Sequence, residues 1–316
     1  MSLAEFVQIL GRGPGRSRSL TQNEAQVAMT EMLSGQPAPE AIGAMLMLLR
    51  MKGETADEIA GFAEAAAESS VALPGVDLDW PSYAAGRTRG QPWFLLSAKL
   101  VAQAGHRVLL HGWNGSDPKV REGLAQVGIG MSGDPDQVAR LLDRDRIAYV
   151  PLENLHPSLF NLLRLRDVLG LRSCVNTVCR MLNPARARSS VQGVFHPSYR
   201  LLQADAAARM GWQSLSVIKG AGGEFECNPA KDVAVFGLRD GQIWDEIRPA
   251  LRGDTLRLAE ASDLTLTELW HGSDSDGFET DLVIGTAALA LETLGVRDAA
   301  RHASGLWRDR ILRSAA

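Results

Sequence analysis

The side chains able to do chemistry gather in a few short stretches of this 316-residue chain. His111-Gly-Trp-Asn-Gly115 offers an imidazole, which titrates near neutrality and suits general acid or base work. Lys219-Gly-Ala-Gly-Gly-Glu224 places an ammonium group in a glycine-rich loop, where it can meet phosphate, and ends on a carboxylate. Pro151-Leu-Glu-Asn154 is a third polar stretch of the same kind. A second set is cationic. Residues 10–23 hold Arg12, Arg16 and Arg18 and no acid, a local charge of +3. Residues 83–121 reach +5 through Arg87, Arg89, Lys99, Arg107, Lys119 and Arg121 against Asp117. Residues 151–200 also reach +5, with seven arginines that include Arg164, Arg166, Arg172, Arg180, Arg186 and Arg188. The whole chain is nevertheless −4, so its remainder is acidic and total charge selects no partner. A basic face made by these stretches, with Lys52, would attract polyanions. Sequence-independent binding to a DNA or RNA backbone needs no more than cations along a groove. Arginine's planar fork suits phosphate, and Trp93, Phe94 and Trp113 offer stacking faces unless they simply pack a core.

Composition removes other classes. With 45% apolar and 22% charged residues the chain can build an ample core. Its three cysteines, Cys174, Cys179 and Cys227, form no CxxC pair, so a zinc or disulfide framework is excluded and a reducing cytoplasm is expected. The longest apolar stretch, 41–49, falls far short of the roughly 20 residues that cross a bilayer. The first residues show no basic flank and apolar core of a secretory signal, so neither membrane nor export is expected. Gly128, Gly130 and Gly133 spell GxGxxG but follow a helical pattern, the reverse of a dinucleotide site. Asp274-Ser-Asp276-Gly277 lacks the remaining ligands of a calcium loop and reads as a polar turn.

Two kinds of element must position these groups. The first 70 residues read as helices: Thr21 with Glu24 and Thr55 with Glu58 make capping boxes, Gly35 and Gly53 end helices, and Pro39 opens one. From about Asp77 short apolar runs alternate with helical segments. Residues 107–110, 147–150, 215–218 and 233–236 read as buried strands, and 92–104, 119–127, 135–143, 198–210 and 279–294 as helices, with 157–180 a further helical stretch. Residues 278–294 read as amphipathic and 299–312 as a closing helix. The fold class is α/β: a small N-terminal helical domain (1–72, completed by helices within 153–185) and a larger α/β domain (73–316) with a mainly parallel central sheet. Parallel sheets bind ligands beyond the carboxyl ends of their strands, which is where the three polar stretches begin.

The stretches 34–65, with Lys-Gly-Glu-Thr at 52–55, and 156–185, with its His-Pro, arginine and Asn-Pro-Ala segments, resemble the anthranilate phosphoribosyltransferase family, glycosyltransferase family 3. The resemblance implies transfer of a phosphoribosyl group, with magnesium, from phosphoribosyl diphosphate to an aromatic amine. It also exposes departures. The glycine-rich donor turn falls on Tyr83-Ala-Ala-Gly-Arg87, with one glycine, no acid and two new arginines, Arg87 and Arg89. The phosphate-binding turn falls on Pro92, Trp93, Phe94 and Leu95, and the lysine before His111 is Leu110. The magnesium pair falls near Gly223 and Glu224, one carboxylate short. Arg166 stands where the family holds the acceptor's carboxylate.

Loss of so many donor-site groups should abolish the ordinary reaction. The combination resembles the divergent, YbiB-like branch, which implies a cytoplasmic homodimer, joined through the helical domain, that binds DNA or RNA without sequence preference and needs no metal or cofactor. The expected cations are Arg12, Arg16, Arg18, Lys52, Arg87, Arg89, Arg164, Arg166, Arg172, Arg180, Arg186 and Arg188. The alternative is a phosphoribosyltransferase for an aromatic or nucleobase-like acceptor, using magnesium with phosphoribosyl diphosphate and His111, Arg166, Lys219 and Glu224.

Overall fold

The computed structural model describes residues 2–84, 90–253, 264–272 and 277–314. Four helices come first: α1 (Leu3–Gly11), α2 (Gln22–Ser34), α3 (Pro39–Lys52) and α4 (Ala56–Glu68). Both capping boxes form. The Thr21 hydroxyl accepts from the Glu24 amide, and that of Thr55 from the Glu58 amide, so each satisfies a backbone donor orphaned at a helix start. Gly35 ends α2 in the left-handed region (φ 72°), a conformation glycine takes without steric cost. Helices α2 and α4 touch closely: a Cβ on Gly61 would lie 2.1 Å from the Gln22 carbonyl oxygen.

Strands and helices then alternate: β1 (Leu78–Ser82), α5 (Phe94–Gln103), β2 (Val108–Gly112), α6 (Lys119–Val127), α7 (Pro135–Asp145) and β3 (Ile147–Pro151). The chain returns to the helical domain through α8 (Leu152–Leu155), α9 (Pro157–Leu169) and α10 (Val175–Arg180), where Leu159, Leu162, Leu163, Val175 and Val178 join its core. Thus 157–180 is two helices, α9 ending at Gly170 (φ 68°). After β4 (Ser189–Val194), α11 (Tyr199–Arg209) and β5 (Ser214–Lys219) come β6 (Val233–Arg239), β7 (Gln242–Arg248), α12 (Leu266–His271), α13 (Phe278–Thr293) and α14 (Ala299–Ser314).

The seven strands form one sheet in the order β3-β2-β1-β4-β5-β6-β7. The first five are parallel, as expected; β6 and β7 are antiparallel, which the apolar run at 233–236 could not reveal. One core, shared with the helical domain, covers one face of the sheet. The other joins α5, α6, α12, α13 and α14 on the opposite face. Helix α13 corrects the amphipathic expectation. Phe278, Leu282, Val283, Ala287, Leu289 and Leu291 are all buried, as are Glu279, Thr280 and Thr286, because α5 and α14 enclose it. Of the GxGxxG glycines, Gly128 ends α6 in the left-handed region (φ 71°) and the other two are packing residues. Added Cβ atoms would approach Leu141 within 2.3 Å at Gly130 and Asn154 within 2.4 Å at Gly133. Asp274 and Asp276 lie outside the described residues. Among the described residues no helix is long and apolar enough to cross a membrane.

Candidate functional site: an arginine pocket between the helical domain and the sheet

The central strands carry a buried polar chain instead of an apolar stack. The Tyr83 hydroxyl lies 2.8 Å from His111 Nδ1, and His111 Nε2 lies 3.1 Å from Asp79 Oδ1. Asp79 Oδ2 accepts from the Ser190 hydroxyl at 2.8 Å. With its proton on Nε2, the ring donates to Asp79 and accepts from Tyr83. All four side chains are buried, and burial pushes the Tyr83 hydroxyl well above its usual pKa. His111 therefore faces protein on both nitrogens. Expected as a general acid or base, it is here engaged on both nitrogens, joining β1 to β2 and holding the Tyr83 side chain.

Glu224 is equally enclosed. Its Oε1 accepts from the Ser82 hydroxyl (2.9 Å), the Ala84 amide (3.1 Å) and the Asn114 side-chain amide (3.1 Å). Gly193 and Gly220 press on its backbone, where an added Cβ would come within 2.1 and 1.4 Å. Glu226 accepts from the Phe94 amide at 3.1 Å and so caps the first turn of α5 with a carboxylate of the chain itself. At that helix start Trp93 and Phe94 are buried, Phe94 stacked on Trp80, so they are core and not stacking platforms. Trp113 packs edge-on to Phe160.

Among the described residues no three His, Cys, Asp or Glu side chains gather as a metal site, and Glu224 and Glu226, the two carboxylates nearest the position expected for magnesium, each commit one oxygen to N–H or O–H donors. Lys219 stands exposed at the carboxyl end of β5. Arg87 and Arg89 lie outside the described residues.

An open cavity lies between the helical domain and the sheet, with a volume of about 230 Å³. Arg50 of α3, Arg166 of α9, Arg172 of the following loop and Arg180 of α10 all line it, and none of its lining residues is acidic. Arg180 is the floor. It is buried, and its guanidinium donates to the carbonyls of Gly193 (3.0 Å), Asn176 (3.0 Å) and Tyr83 (3.1 Å). Burial pulls its pKa down while the Glu224 charge opposes that pull. Arg50 Nη1 donates to the Arg172 carbonyl at 2.6 Å, tying α3 to the loop after α9. Burial, then the neighbouring Arg166 charge, lowers the Arg172 pKa. Opposite the arginines stand Phe195, His196 and Tyr199, with Phe195 edge-on to His196 at 4.9 Å. Thr177, Asn176 and Gln203 supply neutral hydrogen-bonding groups.

The expected cations thus part company. Arg166 and Arg172 meet in the pocket, and Arg180 lies under it, with its donors already engaged by backbone. Arg18 is paired with Glu24 at 2.6 Å and Lys52 with the buried Glu58 at 2.8 Å. Arg188 lies 3.8 Å from Asp240. Arg12, Arg16, Arg164 and Arg186 are exposed, Arg164 resting over the Phe160 ring at 5.8 Å. Arg50 and His196 were missed. Arg50 reads as an ordinary basic residue of a helix's last turn, and His196 follows β4, a strand whose polar sequence hides it.

The α/β domain model of a glycosyl transferase family matches residues 95–301, and that family's helical bundle domain matches 4–70. An anthranilate phosphoribosyltransferase of Desulforudis audaxviator is 31% identical over 318 residues, covering 93% of this chain and 91% of that protein. One from Deinococcus radiodurans is 30% identical over 292 residues, covering 87% and 86%. In structure the chain is similar to anthranilate phosphoribosyltransferase from Thermus thermophilus, with TM-score 0.81 and 20% identity over 100% of this chain and 98% of that one. It is also similar to the Saccharomyces cerevisiae enzyme in complex with PRPP and Mg, with TM-score 0.78 and 17% identity over 98% and 93%. Helical bundle and α/β domain together, the chain belongs to the glycosyl transferase family of anthranilate phosphoribosyltransferase type.

Proposed function

We propose that the chain is a phosphoribosyltransferase-type protein whose arginine pocket takes an aromatic or nucleobase-like acceptor bearing an anionic group. The observation that carries this reading is the acid-free pocket of arginines facing Phe195 and Tyr199, one guanidinium away from the strand end that leads into the donor turn. Arg166 forks onto the anion, Phe195 and Tyr199 flank the ring, and Asn176, Thr177 and Gln203 orient its polar edge. Arg180 fixes the distance between pocket and donor turn through the Tyr83 carbonyl. A diphosphate's charge falls to the exposed Lys219 at the carboxyl end of β5. Calorimetric titration tests this with benzoate and 2-aminobenzoate, then with phosphoribosyl diphosphate with and without magnesium. Saturable heat from an aromatic acid, lost in Arg166→Gln, is the expected result; no heat from any of them overturns it.

A second reading, a non-specific nucleic-acid-binding homodimer, draws on Arg12, Arg16, Arg164 and Arg186, for which no ion pair to a carboxylate occurs among the described residues. A gel-shift titration against salt tests it. Binding that weakens steeply with salt supports it, and absent or salt-insensitive binding removes it.

A further inference from the structure

We infer that the inner wall of the pocket reads a lactam edge, a ring N–H beside a ring C=O. A heteroaromatic acid with such an edge is therefore taken in preference to plain benzoate. The inference rests on the acceptor-pocket reading and adds to it the neutral edge of the ligand's ring. Buried polar side chains are as a rule given hydrogen-bond partners, and much of this interior follows the rule. Asn183 donates to the Ala187 carbonyl and accepts from its amide, while Asn114 donates to Ser82 and Glu224. Ser97 donates to the Val283 carbonyl, and the Thr286 hydroxyl accepts from the Cys227 amide. Two side chains of the cavity depart from it. Gln203 of α11 is 1% exposed and Thr177 of α10 is 5% exposed, and both line the cavity. Among the described residues neither side chain forms a hydrogen bond, and the Gln203 Oε1 is closed off from solvent as well. A buried amide in that position has lost water's hydrogen bonds without replacement. It offers a carbonyl acceptor and N–H donors side by side, the complement of a lactam's N–H and C=O. The last torsion of glutamine is broad, so either atom can turn toward the cavity. The Thr177 hydroxyl donates or accepts and so suits either end of that edge. Benzoate offers this wall only C–H groups. The cavity, about 230 Å³, lies below the usual range for drug-sized ligands, so one small ring meets several walls at once. Arg166 of α9 lines it too and takes the acid group.

The experiment is isothermal titration of the full chain near neutral pH with three monoanions of like size. They are benzoate, 6-hydroxynicotinate in its lactam form, and 6-methoxynicotinate, which has no ring N–H. The lactam should bind about tenfold more tightly than benzoate, and the methoxy compound should lose most of that advantage. Gln203→Leu and Thr177→Val should each bring the lactam-to-benzoate ratio close to one. Gln203→Leu should also melt no lower than the parent, because an apolar side chain of similar shape leaves no orphaned polar atom there. Equal affinity for all three ligands, an unchanged ratio in both variants, or a Gln203→Leu chain that melts well below the parent would overturn the inference and leave the acceptor pocket standing. Binding of none overturns both.

Discussion

Arg180 shows how one side chain can serve a site without touching its ligand. Its guanidinium ties α10 to β4 and to Tyr83, and it lies in the field of the buried Glu224. Replacing it with Met leaves three buried carbonyls without their donor, at about 1–3 kcal/mol for each unsatisfied group. Chemical denaturation should show Arg180→Met strongly destabilised, with Arg166→Gln close to the parent. Tyr83→Phe is a milder test of the polar chain. It leaves His111 Nδ1 without its donor, an expected loss of about 1–3 kcal/mol read from the same melts. Individual roles were unevenly legible in the sequence. Arg166 and Arg172 stand out by position, but whether Lys52 or Arg18 is available to a ligand depends on Glu58 and Glu24. Glu58 also accepts from the Leu20 amide, a contact 38 positions away that spacing cannot reveal.

Among the elements, the helices were the more readable. Helix α6 runs over the predicted residues 119–127, because amphipathic spacing and Gly128 mark both its face and its end. Strands β1 and β4 went unread for a physical reason: Leu-Asp-Trp-Pro-Ser and Ser-Ser-Val-Gln-Gly-Val are polar, yet fully buried. Asp79, Ser190 and His111 satisfy one another across neighbouring strands, so no apolar run was needed to bury them. The capping boxes carry their own prediction. Arg18, followed by the Thr21 amide, holds the Glu24 carboxyl at about 2, below its ordinary 4.5. A lowered carboxyl pKa stabilises the fold fully above 4.5 and gives that contribution up as pH falls toward 2. Melting temperature followed across that acid range should fall less steeply in Glu24→Gln than in the parent. Thr55→Ala, which removes the N-cap of α4, should cost about 1 kcal/mol at any pH.

At the scale of the molecule, the sheet separates two cores and the pocket lies at the rim of one. Helical and α/β domains meet through Asp57 with Arg209 and, at the pocket wall, through Glu54 with Tyr199. A ligand bridging both domains should stabilise the fold by about 2.7 kcal/mol at a hundredfold excess over Kd and raise the melting temperature accordingly. A thermal-shift series with 2-aminobenzoate reads this directly. The order of the strands has a further consequence for exchange with solvent. Strands β1 and β4 lie inside the sheet and are buried along their whole length, whereas β7 has a single neighbour and is mostly exposed. In deuterated water, amide protons of β1 and β4 should therefore be released only when the entire molecule unfolds, while those of β7 are replaced early, through local fraying of one hairpin.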